Sequence, residues 1–269
     1  MDPSDTTRLK LTVHYDGSAF HGWQYQPDHR TVQGELEATL SRLADTPRIT
    51  VVGSGRTDTG VHATGQVASV DMPSRWTAAA LRKSLNATLP RDVWIAAIEP
   101  VAPDFHPRFA ATARSYRYDV GISDLSGSPF HRRWCWPLAE DLDRSLLDQA
   151  AAGLPGTRSF RAFSKTGQPE RGYLCSVTEA SWSQWALGVR FRITANRYLH
   201  HMVRYLVGTM VDIGRGKRPL EDFERLLSGA PGPVTSPPAP PGGLFLELVE
   251  YSPGSSAAAP PNIGSDTSA

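Results

Sequence analysis

Residues 53–65 read GSGRTDTGVHATG, in which Gly53, Gly55, Gly60 and Gly65 bracket Arg56, Asp58 and His62. Glycines permit tight turns and close approach of another chain or a ligand. Loops held on rigid sheets are where catalytic side chains concentrate. An aspartate there can serve as a covalent or acid–base catalyst, and Asp58 and His62 at i, i+4 can pair for hydrolysis. No Ser or Cys nucleophile with a supporting motif accompanies that pair. The plainer reading of the composition is a well-capped turn in which Asp58 accepts backbone hydrogen bonds. A phosphate-cradling loop is excluded, because the segment lacks GxxxxGK[ST] spacing. His200 and His201 are adjacent. The apolar periodicity places them on a helix, where neighbours point about 100° apart, so no shared metal ion is expected.

The elements that must position this loop alternate between strands and helices. Leu9–Tyr15, Ile49–Val52, Gln66–Val70, Val93–Ile98 and Ala113–Val120 read as strands. Tyr116 and Tyr118 fall on one face of the last of these, and Arg117 falls on the other. Val32–Ala44 and Ala78–Leu85 read as helices, the first opened by Thr31 with Glu35 nearby. A second set follows: a helix at Leu142–Ala152, strands at Cys175–Trp185 and Gly188–Ala195, a long helix at Tyr198–Ile213, a short one at Leu220–Leu227 and a strand at Leu244–Tyr251. The pattern predicts an α+β fold. Two split β-α-β (ferredoxin-like) units would form a largely antiparallel sheet flanked by helices, with a central cleft. The expected division is an N-terminal unit at 8–108, carrying the Asp58 loop, and a C-terminal unit at 109–251. Residues 1–7 and 252–269 are too polar, or too rich in Pro, Ser, Ala and Gly, to order themselves. Gly229–Gly243 is too Pro-rich for a helix or central strand and reads as an extended loop.

The chain of 269 residues carries a net charge of +1 and is 40% hydrophobic, which suits a folded protein with a sizeable core. No apolar run approaches the roughly 20 residues that span a bilayer, and no signal peptide is visible, so a cytoplasmic protein without a membrane partner is expected. Two cysteines without CxxC spacing argue against a disulfide framework or a cysteine zinc site. Of 28 Lys and Arg residues only four are lysine. Arginine's planar fork suits phosphates and bases. Between Arg190 and Arg218 seven basic residues face a single acidic one, Asp212, which points to a local anionic partner.

GRTDTGVHATGQV resembles the signature of the TruA family of tRNA pseudouridine synthases. Four further blocks resemble that family in the same order: YDGSAFHGWQ (Tyr15–Gln24), FHPRFAATARSYRY (Phe105–Tyr118), NRYLHHMVRYLVG (Asn196–Gly208) and SPPAPPGGLFL (Ser236–Leu246). The resemblance implies an isomerase that converts uridine to pseudouridine at positions 38, 39 and 40 of the tRNA anticodon stem-loop. It implies a homodimer, and no cofactor or metal.

By the same resemblance Asp58 is the covalent catalyst. Arg204 is its salt-bridge partner, offsetting the desolvation that would protonate a buried carboxylate. Arg56 helps expel the base and hold phosphate, since the reacting atoms are blocked inside a stacked stem. Tyr116 stacks on the uracil, and Leu244 forms the apolar side of its pocket. Further substrate contacts are expected from Arg114, Arg117 and His200, with Arg132, Arg133, Arg197 and Arg215–Arg218 as phosphate candidates. The sequence departs from the family pattern at Thr59, at Tyr198 and over Lys165–Leu174. An RNA-binding module with a vestigial pocket is the alternative. The complete set of Asp58, Arg56, Tyr116, Arg204 and Leu244 argues against it.

Overall fold

The computed structural model describes residues 5–165 and 172–252. In chain order its elements are β1 (Thr6–Tyr15), α1 (Val32–Ala44), β2 (Val52–Gly53), β3 (His62–Pro73), α2 (Ala78–Thr88), β4 (Val93–Pro100), β5 (Ala111–Gly121), β6 (Trp136–Pro137), α3 (Arg144–Ala152), β7 (Gly156–Ser159), β8 (Leu174–Trp185), β9 (Gly188–Ala195), α4 (Met202–Gly214), α5 (Glu221–Ser228) and β10 (Leu244–Tyr251).

The strands form one sheet in the order β4-β1-β3-β10-β5-β9-β8-β7, with β2 beside β3 and β6 beside β5. Two β-α-β-β-α-β units are visible in that order. The first runs β4-β1-β3-β2 and the second β10-β5-β9-β8, all neighbours antiparallel. The fold is therefore α+β with paired split units, as the alternation predicts. The short β2 covers β3 only at Ala68 and Ser69. That leaves the start of β3 free, and β10 pairs with it in parallel at His62 and Ala63. Gly65 makes this junction possible, because a Cβ there would lie 2.0 Å from the Glu247 carbonyl oxygen.

Each unit has its own apolar core. Leu9, Leu11 and Val13 of β1 pack with Leu36 and Leu40 of α1 and with Leu81 and Leu85 of α2. In the second unit Tyr118, Phe191 and Ile193 pack beneath Leu147 of α3 and Leu206 and Met210 of α4. Leu244 joins one core and Leu246 the other. They lie two residues apart on one face of β10, so the helices of both units cover the same face of the sheet.

Several boundaries differ from the sequence reading, each for a local reason. β1 begins at Thr6, because Thr6 and Thr7 pair with Pro73 and Met72; residues 1–4 and 253–269 lie outside the described residues. Ile49–Val51 form no strand although Ile49 and Val51 are buried. Side chains of α1 take up their backbone groups instead: Ser41 Oγ accepts from the Ile49 amide (2.8 Å), Glu37 Oε1 from the Val51 amide (3.0 Å), and Gln33 Nε2 donates to the Val51 carbonyl (3.0 Å). α3 starts at Arg144 because Asp143 caps it, accepting from the Leu146 amide. Gly229–Gly243 holds neither α-helix nor strand: Gly229 caps α5 in the left-handed region, a bend follows at Pro231 and Gly232, and a 3₁₀ turn at Pro241–Gly243 closes the segment.

The largest difference concerns the long helix, which begins at Met202 and not at Tyr198. His201 precedes it in the left-handed region with φ 64°, an unfavourable conformation for a residue with a Cβ. The Tyr198 hydroxyl bonds to the carbonyls of Arg114 and Ile193, both at 2.9 Å, and holds the segment off the helix axis. His200 and His201 are therefore not helical neighbours, and the argument against their sharing a metal ion fails.

Candidate active site

Asp58 sits at the tip of the turn between β2 and β3, and that turn is anchored on both sides. The Ser54 amide donates to the Val67 carbonyl (2.7 Å), Ser54 Oγ to Gln66 Oε1 (2.7 Å) and Gln66 Nε2 to the Gly55 carbonyl (3.0 Å). From the first connection, the Trp23 amide donates to the Thr57 carbonyl (3.1 Å) and the Tyr15 hydroxyl lies 2.8 Å from Thr57 Oγ1. Gly22, with φ 86°, passes so close that a Cβ would stand 2.6 Å from the Thr57 oxygen. The turn is capped, as composition favours, yet the Asp58 carboxylate takes no part in the capping hydrogen bonds. It points across to the second unit.

There it meets three nitrogen-bearing side chains. His200 Nε2 is 3.4 Å from Oδ1, His201 Nε2 is 3.3 Å from Oδ2, and an Arg204 terminal nitrogen is 3.5 Å from Oδ2. Arg204 is 13% exposed and cannot be a surface residue of the helix. Its Nε donates to the Ala239 carbonyl (2.7 Å), and the Ala239 amide donates back to the Arg204 carbonyl (2.9 Å). Sequence reasoning missed His201, because a helix through it would have turned its ring away. The positive φ that redirects it leaves no mark on residue type. Burial, aided by the charges of His200, Arg204 and Lys165 and opposed by Asp58, lowers the His201 pKa below its ordinary value. Asp58, His200 and His201 each offer a donor atom, all within 4.8 Å of one another, a spacing that could hold a metal ion.

Tyr116 stands half-buried on β5 with its ring edge-on to Tyr198, centroids 4.8 Å apart. Burial first, and the Asp58 charge second, push its phenol up to about 12. Tyr118 two residues on is fully buried and donates to the Pro240 carbonyl (2.7 Å), so it is a core residue that steadies the loop behind Arg204. Leu244 is buried opposite Tyr118, in the same apolar cluster as Val61, Met202 and Val203. Arg56 is exposed and its Nε donates to Gln24 Oε1 (3.0 Å). Gln24 in turn donates to Gln33, and Gln33 to Glu37 on α1.

The remaining expected contacts are placed differently. Arg114 spends its guanidinium on four carbonyls, those of Ala111, Asn196, Ser54 and Arg108. Arg117 lies on the sheet face opposite Tyr116, over the Phe245 ring at 4.0 Å and paired with Asp119 and Glu247. His62 is turned from Asp58. Its Nδ1 lies 3.0 Å from the Gly17 amide and 3.2 Å from Asp16 Oδ1, and its ring stacks on Phe245, so the Asp58–His62 hydrolytic pair does not form. In the basic cluster after α4 both arginines are engaged by acids, Arg215 by Glu140 and Arg218 by Asp222, while Lys217 is exposed. Arg133 pairs with Asp16. Tyr198 satisfies its extra hydroxyl as described, Thr59 is exposed, and residues 166–171 of the Lys165–Leu174 stretch lie outside the described residues.

A family model described as tRNA pseudouridine synthase matches residues 11–110 and 150–252. The chain belongs to that family. Among relatives, it is 42% identical over 245 residues to tRNA pseudouridine synthase A of Moorella thermoacetica, covering 90% of this chain and 99% of the relative. It is 40% identical to the protein of that name from Chlorobium phaeovibrioides (90% and 99% covered) and 37% identical to that from Geobacillus kaustophilus (91% and 95%). The family match spans both units that meet at Asp58. Among solved structures, a chain of a Cbf5-Nop10-Gar1 complex aligns with a TM-score of 0.34 at 10% identity, over 76% of this chain and 54% of that one, a likeness too slight to build on.

Proposed function

We propose that this protein isomerises uridine to pseudouridine in tRNA, at positions 38, 39 and 40 of the anticodon stem-loop, with Asp58 as the covalent catalyst. The observation that carries the reading is the Asp58 carboxylate itself, fixed on an anchored turn and faced by Arg204 at 3.5 Å with Tyr116 close enough to feel its charge. The guanidinium places a fixed positive charge beside the carboxylate that the proposed reaction uses. Arg204 is held in place by the Ala239 carbonyl.

The reaction needs a nucleophile that departs again. Asp58 adds to a carbon of the nucleotide, C1′ or C6, as the N1–C1′ bond gives way. The uracil turns, C5 bonds to C1′, the bond between Asp58 and the nucleotide breaks, C5 loses its hydrogen and N1 gains one, so the product is an isomer, the carboxylate is restored and nothing is consumed. Tyr116 offers a ring for the base to lie against while it is detached, and Leu244 closes the apolar side. Arg56, exposed at the mouth, is suited to enter the stem where the flipped nucleotide leaves and to meet its phosphate. His200, 57% exposed beside Asp58, is a second contact for the extruded nucleotide. The reaction requires no metal or cofactor. The enzyme works in the cytoplasm as a homodimer, with tRNA held across both subunits.

Release of tritium from tRNA carrying 5-tritiated uridine reports the chemistry directly, since C5 must shed its hydrogen. Wild type is expected to release tritium. Asp58→Asn is expected to release none while keeping its circular dichroism spectrum and its tRNA affinity. Turnover by Asp58→Asn would remove the covalent role. No release by wild type with tRNA binding intact would favour an RNA-binding module.

A further inference from the structure

Asp58 and the two histidines that face it have a spacing that the isomerisation does not require. Asp58 Oδ1 to His200 Nε2 is 3.4 Å and Asp58 Oδ2 to His201 Nε2 is 3.3 Å, and the whole set lies within 4.8 Å. Ligands about 2.0–2.1 Å from a tetrahedral zinc ion lie about 3.3 Å from one another. The two histidines are consecutive in sequence, and with His201 at φ 64° their rings lie 4.2 Å apart, centroid to centroid. Two imidazoles and one carboxylate suit zinc, cobalt or nickel and not magnesium or calcium, which prefer all-oxygen sets. His200 is 57% exposed, so an ion can enter from solvent and complete its shell with water.

We propose that Asp58, His200 and His201 bind a borderline divalent cation of the zinc class, and that this ion is an inhibitor which occupies the nucleophile and excludes RNA. Metal binding rests on the geometry alone; only the inhibitory consequence rests on the functional reading above. The Arg204 guanidinium opposes the ion, since it lies 3.5 Å from Oδ2 and its Nε is tethered to Ala239. The site is thus reversible, unlike a structural zinc centre, and tRNA and metal compete for it.

The probe is Co²⁺ added to the full-length RNA-free protein, followed by its visible d–d absorption and by calorimetric titration with Zn²⁺. One ion per chain with an intense four-coordinate spectrum is expected. His200→Ala and His201→Ala should each raise the dissociation constant by about tenfold or more. Melting curves of the two variants establish that they are folded, and His200→Ala, at an exposed position, is the safer of them. Added tRNA should displace the ion, and Zn²⁺ should slow tritium release in proportion to occupancy, reversed by chelator. A spectrum of six-coordinate Co²⁺ only, or binding unchanged in both variants, would overturn the site. Metal bound at the site without competition from tRNA would overturn the inhibitory role and leave the isomerase reading standing. Failure of tritium release in metal-free wild type would overturn that reading without touching the site.

Discussion

Arg114 decides how the RNA surface should be drawn. Its position on β5 beside Tyr116 suits a phosphate contact, yet its terminal nitrogens donate to four backbone carbonyls. Replacing it with methionine keeps most of the volume and removes every donor. The bonds to Ala111 (3.3 Å) and Ser54 (3.0 Å) are part-buried, while those to Asn196 (3.0 Å) and Arg108 (2.8 Å) are exposed and water can replace them. A hydrogen bond from a charged group contributes ~1.5–3 kcal/mol, so losing the two sheltered ones costs about 3–6 kcal/mol. For a chain of this size that lowers the melting temperature by about 10 °C. Ser54 opens the Asp58 turn, so turnover at saturating tRNA should fall as well. Affinity for tRNA should keep its salt dependence, because each lost phosphate contact would reduce the slope of log K against log salt by about 0.7–0.9. The assay is a melting curve together with filter binding across a potassium chloride series. An unchanged melting temperature with a slope reduced by about one would refute this reasoning and make Arg114 a phosphate ligand.

Burial raises the phenols of Tyr15, Tyr116, Tyr118, Tyr198 and Tyr251 above the ordinary value of 10. The unfolded chain loses these protons first, so the stabilisation is complete below pH 10 and is lost as pH rises towards the folded values. Stability should fall by about 1.4 kcal/mol per pH unit for each tyrosine, and Tyr116→Phe should remove one share of that slope; a melting temperature that stays flat from about pH 10 to 11 would refute it. Gly65→Ala must push β10 from β3, since its Cβ would sit 2.0 Å from the Glu247 oxygen, and a loss above ~3 kcal/mol is expected in urea unfolding. Cys135 and Cys175 are buried with thiols pushed up to about 11, so iodoacetamide should label neither at neutral pH until the protein unfolds, as mass spectrometry would show.

Periodicity made the helices and most strands legible, because α1 and β9 each bury one regular face. It misled where side chains replace a neighbouring strand, as Gln33, Glu37 and Ser41 do for Ile49–Val51. It also misled where an apolar run crosses a helix start. Leu199 and Met202 both face the core, yet the backbone between them is left-handed at His201. The same limit applies to charge. Arginines are visible in a sequence, but the acids that engage them are distant: Glu247 lies 130 residues from Arg117, and Glu140 lies 75 from Arg215. Counting basic residues between Arg190 and Arg218 therefore overstates the charge left for an RNA partner.

The two arginines of the site are held very differently. Arg204 is bracketed by backbone: Nε to the Ala239 oxygen, its own carbonyl to the Ala239 amide, and the next residue, Pro240, held by the buried Tyr118 hydroxyl. Moving it would break bonds in both the Pro-rich loop and the second core. Arg56 is exposed, and its Nε bond to Gln24 is in reach of water. Little opposes its leaving that partner for a phosphate or an opened base stack. A carboxylate that must stay ionised needs a cation that does not move, whereas expelling a base from a helix needs one that does. Under the proposed mechanism these two needs would fall to Arg204, set on α4, and to Arg56, on the exposed side of the anchored turn that carries Asp58.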